Sequence, residues 1–158
     1  MRRTKARMAV CLTLTVLALV FIWGNSLLPA DDSRALSTWV RNLLAPLFDG
    51  ESSGEVSVGH GWLRKVAHFT EFCWLGLCLS WLTHMTRTKQ WEIFLSAAAA
   101  GVAVACIDEC IQIFVPGRGP GLMDVGIDTA GLLLGIGVIT LIHLICQQKS
   151  KLLEERTQ

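Results

Sequence analysis

The chain has 158 residues, enough for one domain, and 52% of them are apolar. Its 14 basic and 13 acidic residues give a formal net charge of +1 and form no dense basic patch, which argues against a nucleic-acid partner. The apolar residues are gathered into four runs separated by polar stretches, a distribution typical of membrane proteins. We therefore expect residues 1–158 to form a single all-α integral membrane domain.

A basic head, Arg2 to Arg7, precedes the first apolar run, which predicts a transmembrane helix at about residues 8–24. A secretory signal peptide has the same general pattern. Cleavage after Ala30 would place Leu28 at position −3 of the cut, where small residues are preferred. We therefore expect the run to remain in the protein as a membrane anchor.

The segment after the first run is less apolar but keeps a helical rhythm. Its apolar residues fall on one face of a helix: Leu36, Trp39, Val40, Leu43, Leu44 and Leu47. This pattern predicts an amphipathic helix at about 32–48, with Asp32 or Ser33 as its N-cap. Such a helix can lie at the membrane interface or pack on the bundle, and we favour the interface. Residues 49–55 are typical of an exposed, flexible loop.

The second apolar run, at about 63–82, predicts a span that begins with Arg64, Lys65, His68 and Glu71. Residues three apart on a helix are neighbours, so Lys65, His68 and Glu71 form a ladder near one side. The arginine and the lysine could simply extend to the membrane interface. That explanation does not cover His68 and Glu71, which we therefore treat as site candidates.

The third run, at about 93–115, predicts a span that contains Asp108, Glu109 and Gln112. One acidic residue at the centre of such a helix costs roughly 2.5–3.5 kcal/mol on an insertion scale, which offsets much of what the apolar residues contribute. A chain that keeps two acids there must supply partners for them. Ionisable residues at membrane depth are by default a functional-site hypothesis.

A loop rich in proline and glycine follows and carries Arg118, which its few allowed conformations hold near the third span. The fourth run, at about 125–146, predicts a span that opens with Asp124 and Asp128, four residues apart. The polar tail after this run is expected to be a solvated, frayed helix. The loop and the fourth span thus add one cation and two acids to the candidates.

Small residues in the apolar runs are interpreted as structural. Gly131 and Gly135 form a GxxxG step, which permits close helix packing and could also support a homo-oligomer. All six cysteines are interpreted as small buried hydrophobes: Cys11, Cys73, Cys78, Cys106, Cys110 and Cys146. Cys106 and Cys110 share a helix face, which leaves a disulfide or a metal role open for that pair. Otherwise the spacings of a zinc site are missing, and we expect no metal and no cofactor.

Four spans place both ends of the chain on one side of the membrane. The two ends and the 83–90 connection carry more basic residues than the 24–64 and 116–124 segments. The positive-inside rule then predicts a multi-pass cell-membrane protein with both termini in the cytoplasm. At ~1.5 Å per helical residue, His68 and the acids of the last three spans lie within about 10 Å of the outer surface. They therefore form one layer.

This layer predicts a polar pocket that is open to the outside. Its ligand-binding candidates are Lys65, His68, Glu71, Asp108, Glu109, Gln112, Arg118, Asp124 and Asp128. The acids outnumber Lys65 and Arg118, which suits a cationic ligand or an acid that stays protonated as a proton donor. The alternative is an ion-pair network that only locks three helices together. No catalytic residue is assigned, because the chain has no serine elbow, metal-spaced histidine pair or phosphate-binding loop.

Three ordered motifs carry a family resemblance: Arg64-Lys-Val-Ala-His68-Phe-Thr-Glu71-Phe, Asp108-Glu109-x-x-Gln112-x-Phe-Val-Pro116-Gly-Arg118, and Asp124-Val-x-x-Asp128-x-x-Gly131-x-x-x-Gly135. Together with Asn25-Ser26 after the first run, they make the chain resemble the VanZ-like family of small bacterial membrane proteins over nearly its whole length. Phe72 stands where the family often has tyrosine, and Asp128 stands where many members have asparagine.

The family takes its name from a protein associated with low-level resistance to teicoplanin, a glycopeptide antibiotic. The resemblance implies a protein of the bacterial cell envelope and suggests a link to such resistance. We favour a non-enzymatic protein whose outward polar site binds a glycopeptide, a lipid head group or a cell-wall precursor. The alternative is an intramembrane enzyme in which His68, with Glu71 or Asp108, performs acid–base chemistry on a lipid-linked substrate. Transport would require more than one copy of the chain.

Overall fold

A computed structural model of the chain describes residues 2–48, 61–87, 89–119 and 121–156. Every regular element in these ranges is an α-helix, which confirms the predicted all-α fold. The helices are α1 (Arg2–Ser26), α2 (Ala30–Phe48), α3 (Gly61–Thr86), α4 (Gln90–Ile113) and α5 (Leu122–Arg156). The predicted loop at 49–55 lies outside the described residues.

Within the described ranges, three helices are long and apolar enough to cross a membrane: α1, α4 and α5. Helix α3 was predicted as the second span. It has the necessary length, with 26 residues, but its polar and charged side chains keep it out of this set. It packs against all three of the others. The prediction of four spans thus corresponds to three clear candidates and one helix of mixed character in their midst.

The ends of the helices differ from the predicted ends for local reasons. Helix α4 stops at Ile113, two residues before the predicted end at 115. Pro116 cannot continue a helix, and Gly117 has a φ of 74°, a conformation that favours glycine, so the chain turns here. Helix α5 continues unbroken to Arg156, so the predicted polar tail is helical as far as that residue.

Helix α2 confirms the predicted amphipathic helix but starts earlier than expected. The Ser33 N–H donates to the carbonyl of Pro29 over 3.0 Å, which places the first turn at Ala30 instead of at the predicted N-cap. Trp39 and Leu43, which belong to the predicted apolar face, are exposed. Exposed apolar side chains of this kind are expected on a helix that lies at the membrane interface, although Leu36 of the same face borders a cavity next to α3.

Helices α1 and α3 are antiparallel neighbours. At one end the Asn25 side chain, near the end of α1, donates to Glu71 in the first half of α3. At the other end the Cys11 thiol donates to the carbonyl of Cys78, with Sγ and oxygen 3.4 Å apart. The chain therefore passes back along α1 when it forms α3, as the predicted topology requires.

Helices α3 and α5 run in the same direction, with α4 as the return segment between them. His68 lies beside Asp128 near the start of both helices. Near the other end His84 stacks on His143, with ring centroids 4.0 Å apart. This parallel pair has the most extensive interface in the described bundle.

The glycines of the GxxxG step make the close contact between α3 and α5. A Cβ atom on Gly131 would overlap the carbonyl oxygen of Phe69, and one on Gly135 would overlap that of Cys73. Gly76 of α3 faces the backbone of α5 in the same way. The predicted packing role of these glycines is therefore fulfilled within the chain, and a homo-oligomer would have to use another surface.

Large apolar side chains cover the outward faces of the spans. Val16, Val20 and Phe21 on α1, and Leu134 and Leu141 on α5, are all exposed. Contiguous apolar surface of this kind is rare on soluble monomers and is expected where a protein contacts lipid.

The cysteines do not all follow the prediction that they are buried. Cys11 and Cys78 are buried, but the prediction is wrong for Cys106, Cys110 and Cys146, which are exposed. These three lie in apolar runs on helix faces that are turned away from the bundle. All six cysteines are free thiols, so Cys106 and Cys110 do not form a disulfide.

Replacing Gly135 by alanine should destabilise the protein by about 1–3 kcal/mol, because the added Cβ forces the backbones of α3 and α5 apart. Gly137→Ala is the matched control: a Cβ there meets nothing within 4 Å, and alanine favours the helix. Thermal unfolding in detergent micelles measures both. Equal effects of the two substitutions would contradict the close packing.

Candidate functional site

Polar side chains gather at the end of the bundle where α1 stops and α5 begins. We call the following set the polar layer: Asn25, Ser26, Arg64, His68, Glu71, Asp108, Glu109, Gln112, Arg118, Asp124 and Asp128. The buried face of α4 shows how the sequence produces it. That face carries the small or apolar residues Ile93, Ala97, Gly101 and Ala105, and the same face continues into Asp108, Glu109 and Gln112.

His68, Asp108 and Asp128 form the buried centre of the polar layer. His68 is 7% exposed and both aspartates are 0% exposed. His68 Nδ1 lies 3.8 Å from Asp108 Oδ2 and 3.6 Å from Asp128 Oδ1, which is too long for ordinary hydrogen bonds. One donor atom from each of the three residues lies within 4.8 Å of the other two. The three helices therefore converge on a single small space.

The end of α1 is joined to this centre through amide side chains. Gln112 Nε2 donates to Asp108 Oδ2 over 2.9 Å and to Ser26 Oγ over 3.4 Å. Asn25 Nδ2 donates to Glu71 Oε1 over 2.6 Å. The first helix is thus part of the layer, together with the three helices that the sequence analysis considered.

Arg118 binds backbone carbonyls instead of acids. Its Nε donates to the carbonyl of Leu28 and its Nη2 to that of Asn25, each over 3.0 Å. These two carbonyls lie at and just beyond the C-terminal end of α1, where a positive charge is favourable. Burial lowers the pKa of the Arg118 guanidinium and nearby Arg64 lowers it further, while neighbouring acids raise it. An arginine still keeps its proton at neutral pH.

The remaining charged members of the layer have local partners. Glu109 Oε2 accepts from the Gly121 N–H over 2.8 Å, just before the start of α5. Arg64 Nη2 lies 3.9 Å from Asp124 Oδ2, a loose ion pair at the rim. These contacts fasten the loop and the beginning of α5 to α3 and α4.

Lys65 lies apart from the acids, although the sequence analysis placed it among them. Its Nζ is 3.3 Å from the sulfur of Met123 in an exposed contact. The adjacent Arg64 takes the position that was expected for Lys65.

Several buried polar atoms of the layer have no hydrogen-bond partner in the described part of the chain. They are His68 Nδ1, Glu71 Oε2, Asp108 Oδ1, Glu109 Oε1, Arg118 Nη1 and both carboxylate oxygens of Asp128. Buried polar atoms are normally paired, so each one needs an explanation. A network that only locked the helices would pair each acid with a cation. Donors and acceptors without partners are instead expected at a site that binds a ligand.

Two hollows meet at the layer. A cavity of about 60 Å³ is lined by Asn25, Leu28, Ser33, Leu36, Ser37, Arg64, Ala67, His68, Glu71 and Arg118. An apolar groove of about 700 Å³ between α1 and α3 extends from Leu14 to Trp74. Asn25 and Glu71 line both hollows, so the polar cavity and the apolar groove adjoin at these residues.

The site candidates predicted from the sequence do not include some residues that the structure places here, although Asn25-Ser26 contributed to the family resemblance. Asn25 and Ser26 close an apolar run, and two polar residues at the end of a span were the available signal. Ser33 and Ser37 of α2 gave no comparable signal, because serines are ordinary on the polar face of an amphipathic helix.

A family model described as VanZ/LLP1 matches residues 11–143, which include the whole polar layer. The chain belongs to the VanZ/LLP1 family. Searches of the curated proteins and of the solved structures returned no match. The VanZ/LLP1 match and the apolar helices together show a membrane protein of this family.

Arg118→Gln should lower the free energy of unfolding by about 1–2 kcal/mol, because the carbonyls of Asn25 and Leu28 lose a charged donor. Arg34→Gln is the control: Arg34 is exposed and pairs at 3.6 Å with the exposed Asp31. That change should stay within about 0.5 kcal/mol. Unfolding by SDS titration in mixed micelles measures both, and an Arg118→Gln protein as stable as wild type would contradict the assigned role.

Proposed function

We propose that this VanZ/LLP1 protein binds the anionic head group of an amphiphilic lipid in the bacterial cell envelope. The observation that carries the proposal is the meeting of a polar cavity and an apolar groove at Asn25 and Glu71. A lipid has the same two parts, a polar head and an apolar chain. The two hollows would hold these parts at the same time.

The lining of the cavity favours an anionic group. Acids outnumber basic residues in the polar layer as a whole, but the cavity itself is lined by Arg64, Arg118 and only one acid, Glu71. Arg118 Nη1 is buried and has no partner among the described residues. Guanidinium groups bind phosphate well, because they present several donors in a planar arrangement. A phosphate therefore suits this cavity better than the cationic ligand expected from the sequence.

The volume of the cavity limits the size of the group. The cavity measures about 60 Å³, against about 700 Å³ for the apolar groove. A phosphate-sized head group fits such a space. A glycopeptide is far larger and could only contact the outer surface. Of the three ligand classes considered, a lipid head group or a lipid-linked cell-wall precursor is therefore favoured.

The groove supplies a place for the chain of the lipid. Its walls include Leu17, Val20, Phe21 and Trp74, all of which are exposed towards the surrounding bilayer. A lipid could enter it sideways from the membrane without losing contact with apolar surroundings. Selectivity would then come from the polar end of the groove.

The distribution of basic residues gives the bundle an orientation in the membrane. Most basic residues lie towards the start of α1, the α3–α4 connection and the end of α5, so the positive-inside rule places both termini in the cytoplasm. The polar layer, at the opposite end, then faces outward in a multi-pass cell-membrane protein. A link to teicoplanin resistance would be a consequence of binding an envelope lipid. It is not evidence for that binding.

A second candidate function is an intramembrane acid–base enzyme. The observation that favours it is the position of His68, which lines the cavity and lies within 4.0 Å of both buried aspartates. From there it could exchange a proton with a head group in the cavity. Asp108→Asn would then abolish turnover of a bound lipid while leaving its binding intact.

The lipid proposal predicts that the detergent-purified protein binds undecaprenyl phosphate at least tenfold more tightly than undecaprenol, which has the same chain but no phosphate. Arg64→Gln should weaken phosphate-lipid binding about tenfold, equivalent to ~1.4 kcal/mol, because it removes one of the two guanidinium groups. Lys65→Gln is the matched control on the same helix, since Lys65 does not line the cavity. Native mass spectrometry with EDTA present measures the binding.

A second pair of variants tests the groove. Gly24 lines the groove and Gly137 does not, and a Cβ on either meets nothing within 4 Å. Gly24→Leu should reduce binding of the phosphate lipid, whereas Gly137→Leu should not. Equal affinity for the phosphate and the alcohol, or full binding by Gly24→Leu, would overturn the proposal.

A further inference from the structure

We propose that His68, Asp108 and Asp128 form a binding site for a divalent transition-metal ion, with Zn²⁺ as the best match to the donors. The three residues lie on α3, α4 and α5 and are the group of described residues whose donor atoms converge within 4.8 Å. The inference goes beyond the proposed lipid binding and does not depend on it.

The distances leave room for an ion between the side chains. Donors about 2.0–2.2 Å from a metal at tetrahedral angles lie about 3.4 Å from each other. His68 Nδ1 is 3.8 Å from Asp108 Oδ2 and 3.6 Å from Asp128 Oδ1. These separations are too long for direct hydrogen bonds. The donor atoms of the two aspartates lie within 4.8 Å of each other, so the three side chains must move closer by up to about 1.4 Å to surround an ion.

Most of the donor atoms are also unused, although Asp108 Oδ2 accepts a hydrogen bond from Gln112. His68 Nδ1 and both oxygens of Asp128 are buried without a hydrogen-bond partner among the described residues, and so is Asp108 Oδ1. His68 is 7% exposed and the aspartates are 0% exposed, so bulk water does not supply the missing contacts. Buried atoms of this kind are stable when they coordinate a metal.

Charge supports the same assignment. When both are ionised, the carboxylates of Asp108 and Asp128 carry two negative charges. One divalent cation balances these two charges if His68 is neutral. In the described ranges, no lysine or arginine lies within 4.0 Å of the carboxylate of Asp108 or Asp128. Arg118 is bound to backbone carbonyls and Arg64 to Asp124. The other way to neutralise the aspartates is to protonate them, which the experiment below separates from metal binding.

The kind of donor selects the ion. Calcium and magnesium prefer six or more oxygen ligands, whereas imidazole together with carboxylates suits zinc, and also manganese. Gln112 Nε2 donates to Asp108 Oδ2 over 2.9 Å and would hold that carboxylate in orientation, as outer partners of metal ligands do. Three protein ligands leave at least one position for water or for an oxygen of a ligand.

No metal was expected from the sequence, because the paired cysteine and histidine spacings of a zinc site are missing. Here each helix contributes one ligand, and only the packing of three helices brings the ligands together. A spacing rule cannot detect such a site.

The test uses the full chain, purified in detergent without a histidine tag and stripped with EDTA. Titration with Zn²⁺ and Mn²⁺, followed by equilibrium dialysis and elemental analysis, should show about one ion per chain. Zinc should also raise the thermal unfolding temperature. Asp128→Asn and His68→Gln should each weaken zinc binding roughly 100-fold or more, because even outer partners of metal ligands contribute 10–100-fold.

Two controls exclude non-specific binding. Glu92→Gln removes a carboxylate at the other end of α4, and His143→Gln removes a histidine stacked on His84 at the other end of the bundle. Both should bind zinc as wild type does.

Wild-type protein that binds neither ion and gains no thermal stability would overturn the proposal, even if the site variants fail to fold. An equal loss of zinc affinity in the site variants and the control variants would also overturn it. The assay contains no added lipid, so its failure leaves the lipid proposal standing, and the EDTA-treated lipid assay is independent in turn.

Discussion

The burial of two carboxylates, Asp108 and Asp128, inside an apolar bundle is the constraint on which the rest of this structure depends. An isolated ion costs several kcal/mol to bury even after the protein relaxes. Close packing brings His68 to both aspartates, but no lysine or arginine of the described residues pairs with them. Asp128 lies on the same face of α5 as Gly131 and Gly135, and these glycines bring that face against the backbone of α3. His68 of α3 can therefore approach both aspartates.

The end of α1 completes the arrangement and links it to the bilayer. Arg118 holds the carbonyls at that end, while Asn25 reaches Glu71. The same segment borders both the polar cavity and the apolar groove. A polar centre that opens near one end of the bundle can be reached by a head group at the membrane surface. The lipid site and the metal site would then be neighbours that share His68.

The sequence predicts much of the fold but only part of the site. Apolar runs and one amphipathic pattern predicted a helix in each place where the described ranges contain one, and helical spacing correctly placed Asp108 and Gln112 on one face. Which side of α3 faces the bundle could not be predicted, because neighbouring residues on a helix point about 100° apart. The spacing therefore could not show that Arg64, and not Lys65, lies within 4.0 Å of Asp124. Contacts to backbone, such as those of Arg118, and sites assembled from three helices depend on packing that no spacing within one segment encodes.

The central claim is that the polar layer exists to receive a ligand and not to lock the helices. The most direct test is the free energy of unfolding of the Asp108→Asn, Asp128→Asn double variant, compared with wild type in EDTA without added lipid. Asparagine keeps the shape and can still accept from Gln112, so removing two unpaired charges should leave stability unchanged or increased. A loss of about 3–5 kcal/mol, the usual effect of breaking a buried ion pair, would contradict the account.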